Sequence, residues 1–389
     1  MNAHARRTGW MAALVFLVAL CLRPAITSVG PVLGDLGADT GLGEGTLGIL
    51  TALPLLAFAA VSPLVHRMAA RFGDDRAVLV ALGVLVVATV VRSYAGDAGL
   101  WIGTFAIGAA IAVGNVLTPV LVRRDYPERV SMATGFYTAF LTLAASAGSA
   151  LSVPLAHLVD WRFSLVVWAG LALLVALAWL PRVPGPAAHS PALEPVPVPH
   201  HPSIWRWGTA WLATAYMGLQ STTFYVLATW LPTIETSWGV PAATAGLHLS
   251  VFLLLGVVGG LLIPRLLRDG RDQSPGMLAA TAPLAIGAAG VLLWPDAVLL
   301  WLVLLGLAQG ASLVAALTML SLRARSHGEA AKLSGMAQSI GYLLAAGGPF
   351  AAGFLAEHTG SWTPTLVLLV VLTTTQTVVG VVLGRGGRR

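Results

Sequence analysis

Twelve long apolar stretches, separated by short polar segments, constrain this chain more than any other feature of its sequence. A helix needs about 20 mostly apolar residues to cross the hydrocarbon core of a bilayer, and each stretch is about that long. We expect membrane spans at 10–34, 45–66, 77–95, 98–122, 131–157 and 162–180, and then at 206–231, 241–264, 276–294, 297–321, 332–356 and 363–384. The sequence therefore predicts an all-α integral membrane protein with twelve transmembrane helices.

The composition excludes several other classes of protein. Charged residues make up 10% of the chain and hydrophobic residues 57%, whereas soluble globular proteins have about 25% charged and about 45–50% apolar residues. A soluble enzyme, a disordered protein and a nucleic-acid-binding module are therefore excluded. The single cysteine, Cys21, excludes an intramolecular disulfide. Because the chain has no Walker-type loop and no hydrolase motif, we expect no enzymatic activity, no cofactor and no metal.

A proline-rich segment divides the spans into two sets of six. Eight prolines lie between positions 181 and 202, and such a segment favours an extended polyproline II conformation that cannot cross a membrane. We therefore expect an N-terminal six-helix bundle at 1–180, a cytoplasmic linker at 181–204 and a C-terminal six-helix bundle at 205–389.

The distribution of basic residues predicts the orientation of the chain. With the N-terminus in the cytoplasm, 19 of the 22 Lys and Arg residues fall in inner segments. Arg162 lies in an outer loop, and Arg23 and Arg92 lie within spans. This bias follows the positive-inside rule. We expect a multi-pass protein of the cytoplasmic (inner) membrane with both termini in the cytoplasm.

The two halves share several residues at an offset of 200 positions. The matching pairs are Leu117-Thr118 and Leu317-Thr318, Arg123 and Arg323, Gly135 and Gly335, and Gly148 and Gly348. They fall in the fourth and fifth spans of each half. Such a pattern is expected of parallel repeats related by an axis along the membrane normal.

The segment between the second and third spans carries a basic motif. It reads His66-Arg67-Met68-Ala69-Ala70-Arg71-Phe72-Gly73-Asp74-Asp75. Together with the twelve spans and the break after the sixth, it resembles the major facilitator superfamily, whose signature here is Gly-x-Leu-Ala-Asp-Arg-Phe-Gly-Arg-Arg. Arg71-Phe72-Gly73 match that signature, whereas His66 and Ala70 replace its Gly and Asp. The resemblance implies two six-helix bundles that rock around a central site, and it makes Arg71 a candidate gate residue.

Longer strings resemble a narrower branch, the cyanate and 2-nitroimidazole transporters. The strings are Leu22-Arg23-Pro24-Ala25-Ile26-Thr27-Ser28-Val29-Gly30-Pro31, Gly114-Asn115-Val116-Leu117-Thr118-Pro119, Gly218-Leu219-Gln220-Ser221-Thr222-Thr223-Phe224-Tyr225, Trp230-Leu231-Pro232 and Leu333-Ser334-Gly335-Met336-Ala337-Gln338-Ser339-Ile340-Gly341-Tyr342. This resemblance implies cyanate or a similarly small anion as the substrate.

Arg23 is the most informative single residue. It lies 13 residues after Trp10, about 20 Å into the span at about 1.5 Å per residue. An Arg at that depth costs at least about 2.5–3.5 kcal/mol on insertion scales. All 16 acidic residues lie in loops, in the linker or near span ends, so no carboxylate is expected to pair with Arg23. An incoming anion is the simplest counter-charge, because a planar guanidinium binds a small planar anion bidentately. Donation to backbone carbonyls alone is the alternative.

Polar side chains in other spans are candidates to line a cavity between the halves, near the midplane of the membrane. Ser334, Gln338 and Tyr342 follow one another at i, i+4 and i+8, so they form one stripe of a helix. The candidate substrate-binding residues are Arg23, Asn115, Gln220, Tyr225, Gln309, Gln338 and Tyr342. Hydrogen bonding between helices is the alternative role for the uncharged members.

Three other residues have two interpretations each. Arg92, near the outer end of its span, either snorkels to the interface or forms a gate or a second anion contact. Trp230 is either a gate or substrate contact or one of the tryptophans of the interfacial belt. His248 either couples protons, since a histidine titrates near neutral pH, or is satisfied by a neighbouring helix.

These features predict a secondary active transporter that moves a small, cyanate-like anion across the cytoplasmic membrane by alternating access. The expected partners are the small-molecule substrate, the lipid bilayer and, for coupling, H⁺. We expect a monomer. The alternatives are an efflux transporter for nitroimidazole-like or other small drugs and an anion channel.

Overall fold

The computed structural model describes residues 3–183, 204–267, 272–324 and 327–385, and within these ranges the chain is helical and has no strand. The N-terminal half contains α1 (Ala3–Cys21), α2 (Pro24–Thr27), α3 (Leu33–Thr40), α4 (Glu44–Phe72), α5 (Asp74–Tyr94), α6 (Gly96–Asp125), α7 (Val130–Leu158) and α8 (Trp161–Trp179). The C-terminal half contains α9 (Gly208–Ser237), α10 (Ala242–Leu262), α11 (Ser274–Leu293), α12 (Val298–Arg323), α13 (His327–Thr359) and α14 (Thr363–Arg385). Most of the predicted linker lies outside the described residues.

Each predicted span coincides with helical structure, but one helix differs from the rest in polarity. Among the described residues, 11 segments are long and apolar enough to cross a membrane, and the first of them, Gly9–Thr40, runs through α1, α2 and α3. The 30-residue α9 is not one of the 11, because its Thr, Ser, Gln and Tyr residues lower its mean hydropathy. Most residues of α9 between Ala210 and Glu235 are buried. Neighbouring helices, rather than lipid, therefore cover α9.

The first span breaks at Arg23. α1 ends at Cys21, and Pro24 begins α2 because a proline tolerates the first turn of a helix but cannot donate within one. The Arg23 carbonyl accepts hydrogen bonds from the amides of Ile26 and Thr27, each at 3.0 Å. The Thr27 hydroxyl also donates to the carbonyl of Ala145 on α7 at 2.9 Å. These bonds fix the backbone of Arg23 against α7.

The two ends of the bundle differ in charge, and we name them accordingly. The basic end carries Arg71, Arg124, Arg182, Arg265, Arg323 and Lys332. The acidic end carries Asp39, Glu44, Asp97, Asp160, Glu235, Asp296 and Glu357.

The halves meet mainly through two helix pairs, α4 with α13 and α7 with α10. At the acidic end these pairs are in close contact: the Gly45 amide donates to the Glu357 carboxylate at 2.7 Å, and the Ser149 hydroxyl donates to the Gly246 carbonyl at 2.9 Å. A Cβ on Gly48 would lie 2.5 Å from the carbonyl oxygen of Pro349. The same pairs separate toward the basic end, so the molecule is closed at the acidic end and open at the basic end.

Candidate functional site

Two cavities lie between the halves on the open side. The first, of about 570 Å³, separates the basic halves of α7 and α10 and is lined by Arg23, Gln220, Phe224 and Gln309. The second, of about 900 Å³, separates α4 and α6 from α13. Asn115 and Gln338 line the second cavity. Five of the seven predicted substrate-binding residues therefore line one or other of two openings at the same interface, whereas Tyr225 and Tyr342 line neither.

Arg23 lines the first cavity through its side chain, at the helix break that separates α1 from α2. Within the described part of the chain, no carboxylate forms an ion pair with it. Its Nη1 donates a long hydrogen bond of 3.5 Å to the Tyr225 hydroxyl. The guanidinium thus has charge and donors to offer to a ligand, as the sequence predicts.

Three tyrosines lie near the Arg23 guanidinium. Tyr137 on α7, Tyr225 on α9 and Tyr342 on α13 all interact with it electrostatically. Rings hold two of these tyrosines in place: Phe224 lies edge-on to Tyr225 at 5.0 Å and Phe58 to Tyr342 at 5.5 Å between centroids. Sequence reasoning missed Tyr137. Its position on α7, the helix that packs on α1 and α2, becomes informative only once the helices are assembled.

The amides of Gln220 and Gln309 tie α9 to α12 beside the first cavity. Gln309 Nε2 donates to the Gln220 carbonyl at 3.0 Å, and the Ser221 hydroxyl donates to Gln220 Oε1 at 3.1 Å. The Gln309 side-chain oxygen is buried without a partner. Both residues therefore have a packing role beside the cavity.

The polar stripe on α13 is present as predicted. Gln338 Nε2 donates to the Ser334 hydroxyl at 2.9 Å, and both line the larger cavity with Asn115. Tyr342, one turn further toward the acidic end, lies beside Arg23 instead. The stripe therefore leads from the larger cavity toward the arginine.

Arg92 does not snorkel to the interface: only 3% of it is exposed. Its Nη1 donates to the Ala25 carbonyl at 2.6 Å, whereas its Nε and Nη2 are buried without a partner. It lines a small, partly enclosed cavity on the acidic-end side of Tyr225. The interfacial interpretation of Arg92 is therefore wrong.

His248 and Trp230 lie away from both open cavities. His248 Nδ1 is 2.8 Å from a carboxylate oxygen of Glu235, which is fully buried near the end of α9. Trp230 is also buried and donates to the Pro349 carbonyl at 2.8 Å, with its ring 5.0 Å from that of Trp362. The structure places Trp230 in the closed acidic end rather than against a substrate.

The basic motif between α4 and α5 has its acidic residue at an unusual position. Asp75 forms ion pairs with Arg124 at 2.8 Å and Arg182 at 2.9 Å, while Arg182 also pairs with Asp125 at 2.6 Å. Arg71 is exposed, with its guanidinium 5.4 Å from the Phe72 ring centroid. The ion-pair network joins α5, α6 and the short turn that follows α8 within one half, and none of these ion pairs crosses to the other half.

The C-terminal half has its own polar tie at the basic end. Arg323 donates to the carbonyls of Leu383 and Gly384 at 2.6 and 2.7 Å. Outside the spans, the Ser274 hydroxyl and amide donate to Asp272, and these hydrogen bonds hold the pKa of Asp272 below its usual range. At this end, the polar contacts described here join helices within each half and do not bridge the gap between the halves.

The protein is a helical membrane protein with two halves. Their interface is closed at one end and has polar cavities at the other, an architecture typical of a transporter of small solutes. The family model of the Major Facilitator Superfamily matches residues 15–346. This chain belongs to that superfamily. It is a multi-pass membrane transporter and not an enzyme.

Three relatives match most of the chain. An uncharacterized transporter of Bacillus subtilis is 40% identical over 93% of this chain and 90% of its own length. A 2-nitroimidazole transporter of Escherichia coli is 37% identical over 95% of this chain and 94% of its own. A cyanate transport protein of Escherichia coli is 26% identical over 90% of this chain and 91% of its own.

The fold also matches solved structures. A bacterial homolog of the human lysosomal transporter Spinster, in an inward-facing and unoccupied conformation, superposes with a TM-score of 0.78 over 97% of each chain at 16% identity. At that identity the likeness shows the fold alone.

Proposed function

We propose that this chain is a secondary active transporter that carries a small, cyanate-like anion across the cytoplasmic membrane by alternating access. One observation carries the proposal: Arg23 lines a cavity between the halves, and no described carboxylate pairs with it. Arg23 is half-buried at a helix break within the first span, and a charge withdrawn from bulk water in this way is stabilised by a partner of opposite charge. A substrate anion supplies this counter-charge while it is bound and takes it away when it is released.

The groups around Arg23 suit a small anion. A guanidinium presents donors in a planar fork that matches planar anions, and the hydroxyls of Tyr137, Tyr225 and Tyr342 add neutral donors. Gln220 and Gln309 border the same cavity, while Asn115 and Gln338 line the path from the basic end. Neutral donors orient an anion without adding charge that would slow its release.

The halves at 1–180 and 205–389 are proposed to rock as two bodies around this site. The positive-inside rule places the basic end in the cytoplasm, so the open cavities face inward in this structure. Outward opening then requires the closed contacts at the acidic end to separate.

Uptake by purified protein in liposomes tests the proposal. Wild type should accumulate labelled cyanate with saturable kinetics, and Arg23→Gln should reduce uptake by about tenfold or more, because a charge-assisted bond is lost. Arg67→Gln, which removes an exposed arginine of the same half, is the control and should transport normally. Uptake that does not saturate would indicate a channel, and equal uptake by Arg23→Gln would refute the anchor.

Efflux of a nitroimidazole is the second candidate, because the relative of 37% identity is a 2-nitroimidazole transporter. A nitro group can also accept from a guanidinium, but a neutral drug needs the positive charge less. Export of 2-nitroimidazole that survives in Arg23→Gln, with no cyanate uptake by wild type, would favour this candidate.

A further inference from the structure

The strongest unexplained feature outside the central site is the small, partly enclosed cavity beside Arg92. It has a volume of about 30 Å³, whereas about 10–15 Å³ is enough for one water. Its lining comes mostly from the N-terminal half, and α9 of the other half closes it with Tyr225, Ala228 and Thr229. It is therefore a chamber formed between the halves when the acidic end is shut.

Arg92 brings an uncompensated charge to this chamber. It is 3% exposed, it donates to the Ala25 carbonyl through Nη1 alone, and its Nε and Nη2 have no partner. The residues that line the chamber include no Asp and no Glu. An arginine stays protonated in proteins. Arg92 is thus a buried cation that borders a cavity and has two donors without a protein acceptor, and an anion in the cavity would supply the missing counter-charge.

The other polar groups of the chamber are hydroxyls. Thr104 and Thr51 line it, and each donates its hydroxyl hydrogen to a carbonyl of its own helix. Tyr225 lines it too, and its hydroxyl oxygen also accepts from Arg23 at 3.5 Å. Tyr225 therefore stands between the two arginines, with the chamber on one side and the open cavity on the other.

We propose that this chamber is a second anion site, in which the free Nε and Nη2 of Arg92 bind a small monovalent anion of about the size of chloride. The volume admits a halide and excludes a large anion such as gluconate. Because α9 forms one wall, the site widens when the halves separate at the acidic end. It is distinct from the Arg23 site, which stays accessible from the basic end.

Bromide tests the site directly on the wild-type protein. Crystals grown in bromide should show an anomalous peak within hydrogen-bond distance of Arg92 Nε and Nη2. In solution, replacing gluconate by bromide should raise the thermal unfolding temperature of wild type. Arg92→Gln should weaken bromide binding by about tenfold or more, whereas Arg23→Gln should keep it.

Each outcome decides the proposal separately from the transport function. Loss of the bromide response in Arg92→Gln, with retention in Arg23→Gln, supports the second site even if cyanate is not transported. Only ordered water beside Arg92 in bromide crystals overturns it. An equal bromide response in wild type and Arg92→Gln also overturns it. If Arg92→Gln does not fold, the anomalous map of wild type still decides.

Discussion

The hydroxyl groups around Arg23 set how tightly the central site holds an anion. A single hydrogen bond contributes a net of about 0.5–1.5 kcal/mol, so we expect Tyr225→Phe to weaken anion binding roughly two- to tenfold without unfolding the protein. Tyr137→Phe should have a smaller effect, since among the described contacts only the Tyr225 hydroxyl is hydrogen-bonded to Arg23. Anion titration followed by intrinsic fluorescence measures both. Tyr126→Phe, outside the spans at the end of α6, is the control, and an equal loss there would contradict the prediction.

The contact between His248 and Glu235 has a structural role in our interpretation. Both residues belong to the C-terminal half, and neither lines an open cavity. Removing one partner of a buried pair leaves the other without compensation, which costs about 3–5 kcal/mol for an ion pair. We therefore expect His248→Ala to lower the unfolding temperature, while His248→Gln, which keeps a donor, lowers it less. If His248→Gln folds normally but its uptake no longer responds to a pH gradient, the histidine couples protons instead.

Single residues also show where the sequence was sufficient and where it was not. Depth and the absence of nearby acids identified Arg23, because both properties can be counted along one chain. Arg92 and Tyr137 could not be assigned in that way. Whether a side chain faces lipid, a neighbour or a cavity depends on how its helix is rotated in the assembly, and one sequence without relatives does not determine that rotation.

At the scale of elements, α10 and α12 approach most closely where both carry glycine. A Cβ on Gly310 would lie 1.7 Å from the carbonyl oxygen of Gly256, and one on Gly259 would lie 1.7 Å from that of Leu307. Small residues allow such backbone contact between membrane helices. We expect Gly310→Ala to destabilise the protein by about 1–3 kcal/mol or more, because the helices must move apart. Gly83→Ala on α5, where the added methyl group meets nothing within 4 Å, should be neutral in the same thermal unfolding assay.

The helices were predictable because a bilayer sets their length, and their ends differ from expectation by seven residues at most, as at the start of α1. The break before Pro24 was also predictable, since a proline cannot donate inside a helix. The burial of α9 was not. The helix α9 is long enough to cross a membrane, but its polar residues keep its mean hydropathy below that of the other spans. Its central position among neighbouring helices explains how a helix of this polarity is buried in the bundle.

For the whole molecule, the closed acidic end is the counterpart of the open basic end. The Asp75 network holds the N-terminal half together and Arg323 holds the C-terminal half. Neither bond crosses between halves, so both can persist while the halves rock. The bond from the Gly45 amide to Glu357 does cross, and outward opening must break it.

Glu357 should therefore control the equilibrium between the two conformations. A hydrogen bond to a charged group contributes about 1.5–3 kcal/mol, so Glu357→Ala should shift the closed-to-open ratio at the acidic end by roughly tenfold or more. Spin labels on Asp97→Cys and Asp296→Cys, in a Cys21→Ala background, report the separation of the halves at that end. The variant should show a larger long-distance component than its parent. Glu128→Ala, which removes an exposed acid at the basic end, should leave the distances unchanged. An unchanged distribution in Glu357→Ala would mean that the backbone contacts of Gly48 with Pro349 hold this end shut without the carboxylate.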